Sequence, residues 1–144
     1  MNTTEDIRLY FVMRADMASM TPGRVAAQVA HGQSLFHNYV NLLERNEDDN
    51  IFKSKSLKSA KSWAEQANGF GTVIVLKADE NKIKDIFSNC IGNTEVYICG
   101  YIVDPEYHLR DGDTVHTLKN ILTGAYFLTT KENAKTLFEG VPLL

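Results

Sequence analysis

Three polar residues, Arg24, Gln28 and His31, stand at i, i+4 and i+7 in a segment whose apolar residues recur with helical spacing. On an α-helix they fall within about 60° of one another, well away from the apolar stripe. Successive turns thus offer a fixed cation, an amide and an imidazole. Arg24 also falls in the first turn, where unpaired N–H groups and the helix dipole favour anions. Together they make a small site for a phosphate, a carboxylate or a developing oxyanion. Any amphipathic helix carries polar residues on one face, however. Spacing alone therefore leaves Arg24 equally readable as a solvated cation, Gln28 as a helix former and His31 as a hydrogen-bonded interior residue.

The elements around this segment are readable in outline. Ile7–Met13 (IRLYFVM) is rich in β-branched and aromatic residues, the mark of a strand buried on both faces. A turn, 15–20, leads to Thr21-Pro22-Gly23, where Thr21 suits an N-cap and Pro22 the first helical position. The helix that follows runs to about Arg45, with Val25, Val29, Phe36, Val40 and Leu43 as its apolar stripe. Ala26, Ala27 and Ala30 are small enough to bring its backbone close to a sheet. An acidic loop, Glu44–Asn50, ends it, and Leu57–Ala67 reads as a second helix anchored by Trp63.

Gly69 and Gly71 precede a buried strand, Thr72–Leu76. A short amphipathic helix, Lys82–Cys90, follows, then a strand over Thr94–Val103 in which Gly100 marks a bulge or a close backbone approach. The stretch from Asp104 to about Lys119 is polar, with the readings of gating loop and simple insertion both open. Ala125–Thr129 is a last strand and Glu132–Phe138 a last helix. Alternating strands and helices predict a single α/β domain over 1–144, a layered fold with a mixed four-stranded sheet and helices on both faces. In such folds ligands gather where strands end and helices begin, and the first such junction is Met13–Arg24.

Composition narrows the classes. The 144 residues are 44% hydrophobic and 23% charged with three prolines, which argues against disorder and repetitive fibres. No apolar run approaches the roughly 18 residues of a membrane span, and MNTTEDIR has no secretory pattern, so a cytoplasmic location is expected. Cys90 and Cys99 are expected to remain thiols. A net charge of −3 gives no global attraction to nucleic acid, so a polyanionic partner would need a local patch. Lys53, Lys55, Lys58 and Lys61, in a stretch without an acid, could form one; such a run is equally readable as a solvated face. Arg8, Arg14 and Arg110 could add to it. His31, His37, His108 and His116 lack the usual metal-ligand spacings, and no glycine-rich phosphate loop is present, so neither metal nor cofactor is expected.

The string LYFVMRADMASMTPGRVAAQVAHGQSLF resembles the opening of the archaeal and eukaryotic-type (type 2) peptidyl-tRNA hydrolases, in which a strand, an R-x-D-(M/L) turn and a helix with G-K-x-A-A-Q-x-x-H follow in order. The matching residues are Arg14, Asp16, Met17, Gly23, Ala26, Ala27, Gln28 and His31. Trp63 before a glycine-bearing turn, the T-V-I-V-L-K strand, a strand ending in Asp104 and the closing Leu143-Leu144 continue the likeness. Two departures stand out: Arg24 replaces the family's lysine, and its D-A-G-x-T reads Asp104-Pro105-Glu106-Tyr107-His108. Thr123 best fits a second family threonine, ahead of Thr114.

The resemblance implies hydrolysis of the ester joining a peptide to the 3′ ribose of tRNA, with tRNA as partner and a homodimer as the common assembly. Asp104 would position or deprotonate water, directly or through Thr123. Arg24 would stabilise the oxyanion or hold the terminal phosphate, since its pKa forbids a proton shuttle. Gln28 and His31 would orient substrate, and Arg14, Lys53, Lys58 and Lys61 would contact tRNA. Two other readings share these residues: a relative that binds tRNA or another ligand without turnover, and a hydrolase of a different ester or amide.

Overall fold

A computed structural model describes residues 5–46 and 50–144. Strand β1 (Ile7–Arg14) is followed by helices α1 (Pro22–Arg45) and α2 (Ile51–Glu65), then β2 (Val73–Ala78) and α3 (Glu80–Asn89). Strands β3 (Val96–Asp111) and β4 (Thr114–Thr130) form a long hairpin, and α4 (Lys131–Leu137) ends the order. The sheet runs β2-β1-β4-β3; β1 pairs parallel with β2, and β4 antiparallel with both β1 and β3. It is the mixed four-stranded sheet that the element pattern predicts.

Alternation along β1 builds two cores, because successive side chains leave a strand on opposite faces. Leu9, Phe11 and Met13 face α1 and α2, joined by Phe36, Trp63, Ile102 and Leu128. Tyr10 and Val12 face α3 and α4, joined by Leu76, Ile83, Ile86 and Phe127. A strand buried on both sides reads as a continuous apolar run, as β1 does. Phe36 meets Trp63 edge to face at 5.3 Å, a pair worth about 0.5–1.5 kcal/mol beyond its burial, and this contact locks α2 against α1.

Three expectations need correction. Ala26, Ala27 and Ala30 are solvent-exposed. The close approach of α1 to the sheet is made instead at Gly32, where a Cβ would stand 2.5 Å from Ile102 Cδ1 and 2.7 Å from Phe11 Cε1. Helix α2 begins six residues before Leu57, capped by the Asn50 side chain, which accepts from the Lys53 N–H at 2.8 Å. Gly100 marks a close approach, since a Cβ there would press into the Tyr126 ring; the register shifts lie to either side, at Val96/Ile98 and Ile102/Val103.

The largest correction concerns the polar stretch after Asp104, which is β-ribbon rather than loop. Asp104 pairs with Ile121 and the ladder continues to Asp111 opposite Thr114, around a turn in which Gly112 has φ 59°. Glycine adopts that angle without the steric cost of a Cβ, and Asp-Gly between alternating residues is a strong hairpin signal. Most ribbon residues are exposed, but Tyr107 is 2% exposed and anchors the ribbon at the start of α1. Glu47–Asp49, the middle of the expected acidic loop, lie outside the described residues.

Candidate active site

A β-bulge sets the centre of the site. Ile102 pairs with Gly124 and Val103 with Leu122, so Thr123 is the extra residue on β4. Bulges re-aim side chains next to functional sites. Here Thr123 is turned into the space beneath α1 with no exposed surface, and its Oγ1 lies 2.8 Å from Gln28 Oε1 and 3.2 Å from the Ile102 carbonyl. Gln28, itself 5% exposed, donates from Nε2 to Asp104 Oδ2 at 2.7 Å. The other carboxylate oxygen accepts the Glu106 N–H at 2.9 Å, closing a turn over Pro105.

The direction of this chain follows from chemistry. An ionised carboxylate only accepts, so Asp104 must meet the amide's NH₂, which leaves Gln28 Oε1 facing Thr123. The hydroxyl satisfies it by donating. Thr123 therefore does not touch Asp104; the Gln28 amide stands between them and fixes the carboxylate.

Arg24 lies one turn earlier on α1. Its guanidinium stacks over the Tyr107 ring, 5.0 Å from the centroid, and donates to the His108 carbonyl. The Tyr107 hydroxyl is 3.0 Å from Ser19 Oγ, tying ribbon, turn and helix together. Tyr107 and Ser19 are site residues that sequence reasoning missed; the alternation of Tyr107 with Leu109 was the available signal. His31 is exposed and lines a cleft of about 360 Å³ with Gln28, Leu35, Val103 and Asp104. His108 is exposed, its Nδ1 3.1 Å from Thr117 Oγ1, and Thr114 sits by the ribbon's turn.

The remaining candidates are placed elsewhere. Arg14 grips Asp16 with two hydrogen bonds of 2.9 and 3.0 Å and donates to the Leu122 carbonyl at 3.2 Å, next to the bulge. The guanidinium holds the Asp16 carboxyl below its ordinary value of 3.8. Lys53, Lys58 and Lys61 line an open groove on α2. Lys53 bonds the Asn46 carbonyl, and Lys61 pairs with Glu44 at 3.9 Å, about 24 Å along α1 from Gln28. Lys55 turns away, to the Thr94 carbonyl and the Tyr97 ring. The structure thus brings Arg24, Gln28, His31, Asp104 and Thr123 together and leaves the lysines apart.

Cys90 and Cys99 are free thiols. Cys90 Sγ donates to the Ile86 carbonyl at 3.3 Å, and the two thiols act on each other, which raises the pKa of Cys90 and lowers that of Cys99. Among the described residues no group of three His, Cys, Asp or Glu side chains could hold a metal ion, and no helix is long and apolar enough to cross a membrane.

Residues 7–100 match the family model described as peptidyl-tRNA hydrolase PTH2. The chain belongs to that family. The match contains Arg14, Asp16, Arg24, Gln28 and His31 and stops before Asp104 and Thr123, which the hairpin strands bring back to the family's helix. No curated protein matches the chain. Among solved structures, that of a protein of unknown function from Agrobacterium tumefaciens strain C58 aligns with a TM-score of 0.52 at 11% identity, covering 96% of this chain and 98% of the other. At that identity the likeness concerns the fold alone.

Proposed function

We propose that this member of the PTH2 family hydrolyses the ester of peptidyl-tRNA, releasing tRNA and peptide. The observation that carries the reading is the buried Thr123–Gln28–Asp104 chain, which ends in a carboxylate on the cleft and whose middle member, Gln28, is one helical turn from Arg24. Asp104 accepts a proton from water as the oxygen attacks the ester carbonyl, and returns it to the departing 3′ oxygen. Arg24 supplies the positive charge, either to the tetrahedral oxyanion or to the terminal phosphate. Gln28 and Thr123 hold the carboxylate, and His31 stands at the cleft mouth to orient substrate. Arg14 supports the site from behind by fixing Asp16 and the strand beside the bulge. Lys53, Lys58 and Lys61 are distant enough to meet the tRNA backbone rather than its end, with salt-dependent affinity. The compartment is the cytoplasm, where peptidyl-tRNA arises.

Release of tRNA from N-acetyl-aminoacyl-tRNA tests the reading. Wild-type protein is expected to turn over, with Asp104→Ala and Arg24→Ala each lowering kcat/KM by on the order of a hundredfold or more. A second reading, a relative that binds tRNA without turnover, is favoured by one observation: the Arg24 guanidinium is already engaged by Tyr107 and His108. Folded wild-type protein that binds tRNA and releases nothing would establish it.

A further inference from the structure

The ribbon beyond Asp104 holds the side chain of Arg24 in place. The guanidinium lies over the Tyr107 ring, with Cζ 5.0 Å from the centroid, and its Nη1 donates to the His108 carbonyl. Tyr107 is itself fixed, 2% exposed and with its hydroxyl 3.0 Å from Ser19 Oγ. A guanidinium carries its N–H donors in a planar fork. Among the described residues the His108 carbonyl is the only acceptor that Arg24 meets, so most of that fork is left for a ligand.

The place of Arg24 along the ribbon bears on which part of an ester it serves. Tyr107 and His108 lie three and four residues beyond Asp104 on β3, about 10 and 13 Å of strand. An oxyanion forms on the carbon attacked by the water at Asp104, within about 5 Å of that carboxylate. Its donor must stand within about 3 Å of that oxygen. Asp104 is bound by Gln28 and the Glu106 N–H, and among the described residues Arg24 makes no ion pair with it. To serve the oxyanion, Arg24 would have to leave its anchors and lean back. In a 3′ ester of a nucleotide, by contrast, the 5′ phosphate lies across the ribose from the reacting carbonyl. Its two unesterified oxygens match the two-pronged edge of a guanidinium.

We propose that the ribbon, through the Tyr107 ring and the His108 carbonyl, sets Arg24 as a clamp for the 5′ phosphodiester of the substrate's terminal nucleotide rather than as the oxyanion donor. Tyr107 is then a positioning residue. The inference rests on the reading above that the substrate is an ester on a nucleotide 3′ hydroxyl. Two measurements test it, and only the first requires turnover. In the first, kcat/KM is compared for the 3′ N-acetyl-phenylalanyl esters of adenosine and of adenosine 5′-methylphosphate, which differ only in the phosphodiester. The wild type is expected to prefer the nucleotide ester by roughly tenfold or more. Arg24→Ala should bring that ratio near one by slowing the nucleotide ester alone. Tyr107→Leu should lower the ratio and Tyr107→Phe, which keeps the ring, should preserve it. Turnover of the nucleoside ester shows in each case that the site is folded. A wild-type ratio near one, or an Arg24→Ala protein slowed equally on both esters, overturns the clamp while leaving the hydrolase reading intact. A ratio unchanged in Tyr107→Leu overturns the positioning role.

In the second, the Arg24 Nε–H signal is followed by NMR as adenosine 5′-methylphosphate, adenosine or inorganic phosphate is added. A shift with the methylphosphate and none with adenosine supports the clamp, even in a protein without turnover. An equal response to inorganic phosphate would mark a general anion contact, and no response would leave no site; both overturn the proposal.

Discussion

Thr123→Val removes one hydroxyl from a fully buried residue and almost no volume, so it isolates the hydrogen bond that orients the site. In the native protein that hydroxyl serves Gln28 Oε1 at 2.8 Å. Without it the amide oxygen, on a residue 5% exposed, faces a methyl group. Turning the amide over gives no relief, because its oxygen would then meet Asp104 Oδ2, another acceptor, at 2.7 Å. The cost is that of leaving a buried acceptor unsatisfied, about 1–3 kcal/mol. For a chain of 144 residues this lowers Tm by roughly 3–10 °C. Activity falls as well, by on the order of tenfold or more, because the carboxylate loses its fixed donor.

A double-mutant cycle separates this cause from simple packing. In a Gln28→Met background the hydroxyl has only the Ile102 carbonyl, 3.2 Å away, so Thr123→Val should cost about 1 kcal/mol or less there. The assay is thermal or urea unfolding of the four proteins, alongside tRNA release. An unchanged Tm in Thr123→Val, or an equal cost in both backgrounds, would refute the orienting role of the hydroxyl.

Two further perturbations test the frame around the site. Gly32→Ala overpacks the contact between α1 and the sheet and should cost about 1–3 kcal/mol; adding Ile102→Val removes the Cδ1 that lies 2.5 Å away and should restore part of it, which urea unfolding will read. The Arg14–Asp16 pair gives an acid signature: the pKa of Asp16 is depressed on folding, so its contribution to stability is present above 3.8 and lost as pH falls through the lower folded value. Asp16→Asn should therefore flatten the stability profile below about pH 4, and an unaltered acid limb would show that the pair carries no linkage.

What the sequence made legible was whatever depends on neighbours along the chain. The β1 run and the α1 stripe follow from local periodicity, as does the shared face of Arg24, Gln28 and His31. Their partners are another matter, since Asp104 and Thr123 are 76 and 95 residues from Gln28. Family resemblance brought both to notice, but the bulge that aims Thr123 exists only once β3 and β4 pair. The ribbon escaped for a related reason: exposed on most of its surface, it shows little alternation beyond Tyr107, Leu109 and Leu118. The alanines misled because small size permits close packing without requiring it, whereas Gly32 sits where nothing larger fits. The lysine run was visible, but its distance from the site is set by where Trp63 meets Phe36.

The bridge by which Pro142–Leu144 caps part of β2 has a consequence for how copies of this chain can join. Lys77 donates to the Pro142 carbonyl and Leu144 to that of Val75, each at 3.0 Å, with Leu143 bridged to Leu76. Val75–Lys77, on the β2 border of the sheet, are thereby covered by the protein's own chain, whereas among the described residues no strand pairs with the outer side of β3. Growth by edge-to-edge strand addition needs two open borders on every unit to propagate. With that part of β2 occupied, pairing through β3 about a twofold axis is favoured over the sheet-extended fibre that two free edges would permit.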